Sequence, residues 1–243
     1  MLTSRDELLY KARIAEQAER YADVTRLVKE LAQQSTQELS EKERRLLNSF
    51  KNVLEERRRS HRVVAAMRSR REVTDESARL LDQLAESIGT ELNGVCDELL
   101  VLVQERLLPN ATEEDAKLFY HKLVGDYNRY KAEIASGTER IELAAKSKAG
   151  YEAATEFSKE LSATDAARLG LTLNHCCFYV EILEDTQTAI EMSKKAFDEA
   201  LADLERLNEE CYNESAAILA IIRDNLSVWT ANIEEDGKED TLH

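Results

Sequence analysis

The sequence predicts an all-α fold of antiparallel helices, and three observations carry that prediction. Turn-formers are scarce: the 243 residues include 7 glycines and a single proline, Pro109. That is too few for the tight turns of an all-β sandwich or barrel, and no glycine-rich phosphate loop of a doubly wound α/β fold is present. Helix-start signals recur along the whole chain, separated by short polar breaks. Finally, 43% of residues are apolar, enough at this length to bury a sizeable core and to exclude disorder throughout.

The elements follow in order. Residues 2–34 divide into two helices. Ser40-Glu41-Lys42-Glu43 has the spacing of a capping box and opens a helix over 40–72. Thr74-Asp75 opens the next, over 76–107, which Pro109-Asn110 ends. Thr112-Glu113-Glu114-Asp115 starts 113–135, and Ser136-Gly137-Thr138 starts 139–160. Ser162-Ala163-Thr164-Asp165 starts 165–184, Asp185-Thr186 starts 187–207, and a last helix covers 210–232. Nine helices with links of a few residues make an up-and-down stack. One domain is predicted over 1–233, followed by a disordered acidic tail, 234–243, that has five acids and one lysine and no apolar face.

The longest apolar run, Ala216 to Ile222, has seven residues, far short of the ~20 that cross a bilayer. The N-terminus turns acidic before any apolar stretch and does not read as a secretory signal. These features place the chain in the cytoplasm, with no membrane insertion. The four cysteines include the vicinal pair Cys176-Cys177, a poor start for a disulfide framework, so reduced thiols are expected.

A net charge of −15 argues against a general nucleic-acid or anionic-membrane binder. The charge is unevenly spread. Between Arg44 and Arg71, ten cations face two anions, Glu55 and Glu56, a local +8 that suggests a bounded anionic ligand.

Three constellations deserve weighing. Lys51, Arg58 and Arg62 stand at i, i+7 and i+11 on one long helix, so they project from one face. A solvated charged face is the plain alternative, but stacked cations repel one another unless an anion joins them, and guanidiniums grip phosphate oxygens through paired donors. Lys122 and Arg129 are i, i+7 on a later helix, with Tyr130 following. All three donate hydrogen bonds without losing a proton, which suits holding a dianion rather than transforming it; a surface Lys and Arg beside a core Tyr is the alternative. On the C-terminal helices, Asn174, Cys177 and Glu181 share a face with Leu173 beside them, and positions 218, 221, 222, 225 and 229 repeat at helical spacing. An Asn among isoleucines is costly unless bonded to a backbone group, either the protein's own or that of an extended ligand.

Enzyme motifs are missing: there is no Gly-x-Ser-x-Gly, no Gly-x-x-x-x-Gly-Lys and no His-Glu-x-x-His. Residues three before His61, His121 and His175 are Arg58, Leu118 and Thr172, so no Glu-x-x-His pair binds iron. Successive side chains in His175-Cys176-Cys177 point ~100° apart on a helix and cannot converge on a zinc ion. No cofactor, no metal and no catalysis are expected.

Six segments in order carry a resemblance: Ala15-Glu16-Gln17-Ala18-Glu19-Arg20-Tyr21, Lys51-Asn52-Val53, Phe119-Tyr120, Gly125-Asp126-Tyr127-Asn128-Arg129-Tyr130, Arg168-Leu169-Gly170-Leu171, and Arg223-Asp224-Asn225-Leu226-Ser227-Val228-Trp229-Thr230. In these segments the chain resembles the 14-3-3 family of phosphoserine and phosphothreonine adaptor proteins, over essentially its whole length up to the tail. The resemblance implies nine antiparallel helices in a cup-shaped protomer with a concave groove, assembled as a homodimer, with heterodimers an alternative. It implies phosphorylated client proteins as partners. Lys51, Arg58, Arg129 and Tyr130 would hold the phosphate, with Arg62 and Lys122 in the surrounding groove. Asn174 and Asn225 would pair with the peptide backbone, and Leu173, Cys177, Glu181, Ile218, Ile221, Val228 and Trp229 would line the groove. Arg20, Asp23, Ser60 and Glu91 would lie at the dimer interface, with Arg20 and Glu91 bridging subunits. Ser60 occupies a place where some members are phosphorylated, although the residue itself reads as a buried, unmodified serine.

The chain departs from the family pattern at several points. It is one residue short between Leu46-Leu47 and Phe50-Lys51, which bears on the aim of Lys51. Asn128 replaces a usual Tyr, His61 a usual Trp, Cys177 a usual Val and Ala217 a usual Leu. Glu55 and Glu56 add negative charge beside Arg58, and Ser87 stands where Asp23 usually finds a lysine. A helical scaffold that binds unmodified acidic segments through the basic patch is the runner-up function. An RNA-contacting protein is a distant third.

Overall fold

Side-chain caps start several helices where the sequence places them. In the computed structural model, which describes residues 4–34, 38–70, 74–204 and 207–239 (the backbone alone for 235–239), the Thr74 hydroxyl accepts the amide of Ser77. The Asp165 carboxylate accepts the amides of Ala167 and Arg168, and that of Asp185 accepts the amide of Thr188. Each satisfies a donor that a helix start leaves open. At the predicted capping box, the Glu43 carboxylate accepts the backbone N–H and hydroxyl of Ser40 at 2.8 Å and two nitrogen–oxygen contacts from Arg5. Burial alone would raise the Glu43 carboxyl; these bonds and the Arg5 charge hold it below its ordinary value.

Every element among the described residues is helical. The helices are α1 (Ser4–Gln17), α2 (Tyr21–Gln34), α3 (Glu41–Arg44), α4 (Ser49–Arg68), α5 (Asp75–Leu102), α6 (Glu114–Ile134), α7 (Gly137–Ser158), α8 (Ala166–Glu181), α9 (Thr186–Leu201) and α10 (Glu209–Glu239). The single-turn α3 continues through a 3-10 turn, Arg45–Asn48, into α4. The described chain therefore makes nine helical segments, as the sequence predicts. Ahead of Pro109, α5 widens into a π turn over Val103–Leu107 and then a 3-10 turn over Leu108–Asn110. A proline lacks an amide and its ring crowds the carbonyl four residues back, so the regular helix cannot continue.

The fold resolves into two compact units, Met1–Ala116 and Lys117–His243, where the sequence suggests one domain over 1–233. In the first, Val24, Val28, Leu47, Leu54, Leu92 and Leu99 form the core. Arg57 meets Glu91 at 3.1 Å and, farther along α4, Arg68 meets Asp82 at 2.9 Å, so α4 and α5 run antiparallel. The second unit repeats the pattern. Arg168 near the start of α8 meets Glu199 near the end of α9 at 3.0 Å, and Arg140 near the start of α7 donates to the carbonyl of Ala132 near the end of α6.

The α6–α7 contact is unusually close. A Cβ on Gly150 would lie 2.6 Å from the backbone nitrogen of Gly125, and one on Gly125 would lie 2.7 Å from the Tyr151 ring. Only glycine permits that approach. Helix α10 runs on to Glu239, past residue 233 where the sequence suggests that an unstructured tail begins; residues 240–243 lie outside the described residues. No helix among them is long and apolar enough to cross a membrane.

Candidate functional site

In the first unit the predicted cation row lies on α4, but its members differ in burial. Lys51 and Arg62 are exposed, whereas Arg58 is only 8% exposed. Lys51 has no ion-pair partner among the described residues. Arg58 Nη1 lies 3.8 Å from the carboxylate of Glu55, an exposed residue one turn earlier. The 3-10 turn over Arg45–Asn48, just before α4, lengthens the approach to Lys51 relative to regular α-helix. Four residues of 3-10 helix rise about 8 Å and rotate about 480°, whereas five residues of α-helix rise about 7.5 Å and rotate about 500°.

The expected dimer residues also sit in this unit. Arg20 donates to Asp23 at 2.5 Å, with Arg26 3.7 Å from the same carboxylate, and Glu91 pairs with Arg57. Arg20 and Glu91 thus each have a partner within the protomer. Ser87 is exposed, and Ser60 is half-buried rather than buried as expected.

In the second unit, one turn of α6 builds a dense polar cluster around Asp126. Its carboxylate accepts from Lys122 Nζ at 2.8 Å, from the Tyr151 hydroxyl at 2.7 Å and from Asn174 Nδ2 at 2.8 Å. Burial alone would raise this carboxyl; the charges of Lys122 and Arg129, with the bonds from Lys122 and Tyr151, hold it below its ordinary value. Arg129 is buried and tightly placed. Its Nε donates to the Tyr151 hydroxyl at 3.1 Å, and its Nη1 to Glu181 at 2.5 Å and Glu133 at 3.5 Å. Its guanidinium also lies 4.8 Å from the centre of the buried Tyr130 ring. Burial works against the Arg129 charge, but the neighbouring Tyr151, Tyr130, Glu181 and Asp126 hold the group protonated. Nη2 has no hydrogen-bond partner among the described residues, so one donor of a fixed fork is still available.

Helix α8 links this cluster to α10. Asn174 reaches Asp126 on α6, while Leu173 packs with Ile218 against the core formed by Leu169, Leu219 and Ile222. On α10, Ile221 and Val228 are 50% and 57% exposed and flank a half-buried Asn225. The Asn225 side chain makes no hydrogen bond among the described residues. Two expected groove residues sit deeper. Cys177 is half-buried, and Trp229, at 8% exposure, packs with Cys176 and Ala189 beneath the stripe instead of lining its surface.

Sequence reasoning gives no role to Asp126, Glu133 or Tyr151. For Asp126 a signal exists, since a carboxylate at i+4 from Lys122 and i−3 from Arg129 sits between two cations on one face. Tyr151 has none, because it arrives from another helix through the glycine contact.

Comparison with known proteins agrees with this architecture. The family described as 14-3-3 protein matches residues 11–230. The human 14-3-3 protein beta/alpha is 41% identical over 238 residues, covering 97% of this chain and 96% of the relative. The Xenopus laevis 14-3-3 protein beta/alpha-A is 42% identical over 237 residues, with coverages of 97% and 96%. The Arabidopsis thaliana 14-3-3-like protein GF14 iota is 39% identical over 242 residues, covering 98% of this chain and 90% of the relative. An all-helical chain matched over nearly its full length in this way belongs to the 14-3-3 family of non-catalytic adaptors that bind phosphorylated client proteins.

Proposed function

We propose that this adaptor binds phosphoserine and phosphothreonine segments of its clients in an extended conformation along α8 and α10 and regulates those clients, with the cytoplasm as its compartment. The phosphate is held by Lys51, Arg58, Arg129 and Tyr130, with Lys122 and Arg62 nearby. Asn174 and Asn225 pair with the client backbone, and Leu173, Ile218, Ile221 and Val228 take its apolar side chains, with Cys177 and Glu181 alongside and Trp229 supporting them from beneath.

The observation that carries this reading is the α10 stripe: two exposed apolar residues flank an amide with no protein partner among the described residues. A half-buried amide in that setting is completed by ligand backbone. Charge decides which cations the phosphate needs. The α6 cluster holds Lys122 and Arg129 against Asp126, Glu133 and Glu181, a net −1 that does not attract a dianion unaided. The cations of α4 supply the difference, because hydrogen bonds to charged groups contribute about 1.5–3 kcal/mol each.

Fluorescence anisotropy with matched peptides tests the reading. A phosphoserine peptide should bind at least about 100-fold more tightly than its unphosphorylated twin, roughly two charge-assisted bonds. Arg58→Ala should weaken the phosphopeptide by about 2 kcal/mol. The exposed Lys51→Ala should weaken it with the fold intact, which separates binding from stability. Comparable affinity for an unphosphorylated acidic peptide would instead support a scaffold that binds acidic segments.

The protein is further proposed to dimerise through its first unit. Tyr10 and Ile14 on α1, Val63 and Met67 on α4, and Leu80 and Leu84 on α5 form three i, i+4 apolar pairs that are all exposed. Scattered apolar residues need no explanation, but three such pairs in one unit mark a surface to be covered.

A further inference from the structure

Thr112-Glu113-Glu114-Asp115 is the only place in the chain where a serine or threonine is followed by three consecutive acids. All four residues are exposed, and Thr112 lies in the short link between the 3-10 turn Leu108–Asn110 and α6. Its hydroxyl donates to the Glu38 carboxylate at 2.6 Å, and its amide donates to the same oxygen at 3.0 Å. Glu38 thus closes the start of α6 from 74 residues away in the chain, where a side chain of the helix's own first turn would ordinarily do so. Burial alone would raise the Glu38 carboxyl, but the bonds from Thr112 and Glu113 and the charge of Arg44 hold it below its ordinary value. The tie is therefore a carboxylate one at neutral pH.

Arg44 completes the cluster. Its side chain is buried, donates from Nη1 to the Leu39 carbonyl at 3.0 Å and pairs through Nη2 with Asp115. One cation therefore already serves two carboxylates, Glu38 and Asp115, which leaves the three groups at a net −1. A phosphate on the Thr112 oxygen adds about −2 at the spot where Glu38 accepts its shortest bond, and it removes the proton that makes that bond. The phosphate is fixed covalently and cannot leave. Glu38, held there by Thr112 and Glu113, can. The phosphate oxygens then sit at the amides that Glu38 gives up, a helix start being a favourable place for an anion.

We propose that Thr112 is a phosphorylation site for a serine/threonine kinase with a cationic substrate cleft, and that the phosphate displaces Glu38 from the start of α6 and releases the segment 38–44. In the transfer, the Thr112 hydroxyl oxygen bonds to the γ-phosphorus of ATP, the bond from that phosphorus to the bridging oxygen of the β-phosphate breaks, ADP leaves and the hydroxyl proton passes to the kinase's base. The carboxylates at the next three positions supply the charge that a cationic cleft reads. Extending Thr112–Asp115 into such a cleft opens only the first turn of α6 and the Arg44–Asp115 pair, and helix ends open most easily. Glu38, Arg44, Thr112 and Asp115 all lie in the first unit. None belongs to the proposed phosphopeptide surface, so the two proposals fail independently.

The test incubates the full-length protein, well below its melting temperature, with Mg-ATP and the acid-directed casein kinase 2, and reads the product by peptide mass spectrometry. The expected result is a phosphate on Thr112 that is absent from Thr112→Val. Glu113→Gln combined with Glu114→Gln should slow its incorporation about fivefold or more. Glu38→Ala frees the hydroxyl and should speed it about threefold or more. Hydrogen exchange then compares modified and unmodified protein. Amides of 38–44 should exchange about tenfold faster after modification, the equivalent of one lost charge-assisted bond, while α8, α9 and α10 exchange as before. Glu38→Ala should give the same local acceleration without the kinase, which keeps the tie testable if the modified protein unfolds. No phosphate on Thr112 of the folded protein, incorporation indifferent to Glu113 and Glu114, or 38–44 exchange that neither modification nor Glu38→Ala alters would each overturn the proposal.

Discussion

Asn174 and Asn225 are the same side chain on helices that pack together, yet their surroundings assign them different work. Asn174 donates to the buried Asp126 at 2.8 Å, so its removal takes a bond from a charged group inside the protein as well as from a ligand. Asn225 has no protein partner among the described residues. Asn225→Ala should therefore leave thermal stability within about 0.5 kcal/mol of wild type while weakening unrelated phosphopeptides by ~1–3 kcal/mol. Asn174→Ala should lower both. Calorimetric melting beside anisotropy separates the two, and a stability loss in Asn225→Ala without loss of affinity would make Asn225 a core residue. Glu55 offers a second test at this scale. Its carboxylate lies 3.8 Å from Arg58 and is largely exposed, so in the proposed site it would compete with a phosphate for a buried guanidinium. Removing that charge by Glu55→Gln should tighten phosphopeptide binding by up to about 1 kcal/mol, the range of partly solvated ion pairs. The gain should shrink with added salt. Weaker binding in this variant would mean that Glu55 positions Arg58 rather than opposing the ligand.

At the scale of elements, the α6–α7 crossing sets the surroundings of Arg129 and Asp126 from a distance. Because a Cβ on Gly150 would sit 2.6 Å from the Gly125 nitrogen, Gly150→Ala must push the helices apart. Tyr151 would then move away from both Arg129 and Asp126, which its hydroxyl bridges at 3.1 and 2.7 Å. Overpacking of this kind costs about 1–3 kcal/mol. The melting temperature and the phosphopeptide affinity should therefore fall together, whereas a loss of stability alone would show that Tyr151 does not position Arg129. This contact also shows where the sequence is legible. The starts at Thr74, Asp165 and Asp185 can be read because a capping side chain lies within three residues of the amide it accepts. The break between α1 and α2 is harder to read, since Glu19 takes the left-handed conformation, at φ 55°, that normally signals glycine. The 3-10 turn over Arg45–Asn48 carries no local mark in the sequence. The candidate site divides the same way. Lys122, Arg129 and Tyr130 can be grouped from helical spacing alone, but their burial and the arrival of Tyr151 depend on a second helix. Trp229 looks like groove lining by spacing and is core by packing.

For the whole molecule, the question is what covers the exposed apolar pairs of the first unit. Tyr10, Ile14, Val63, Met67, Leu80 and Leu84 are 40% to 63% exposed, and each contributes about 1 kcal/mol when its remaining area is covered. In a two-fold interface every residue counts twice, so Leu80→Asp with Leu84→Asp removes four such contributions. That loss of roughly 4 kcal/mol lowers the association constant by about three decades, before the cost of burying the new carboxylates is added. Charge is a weaker lever. Arg20 already pairs with Asp23, and Glu91 with Arg57, so a bridge between Arg20 and Glu91 across subunits must exchange one ion pair for another. Arg20→Glu should accordingly shift the dimer less than the Leu80/Leu84 variant does, and adding Glu91→Arg should recover only part of the shift. Sedimentation velocity at micromolar concentration should show a wild-type dimer and a Leu80→Asp/Leu84→Asp monomer. Single-site phosphopeptide affinity should stay within about twofold, since the α4, α6 and α10 residues are untouched, whereas a doubly phosphorylated client should lose the avidity that two linked grooves confer. A wild-type monomer, or a variant that remains dimeric, would show that these pairs are ordinary surface and that any bivalent binding arises elsewhere.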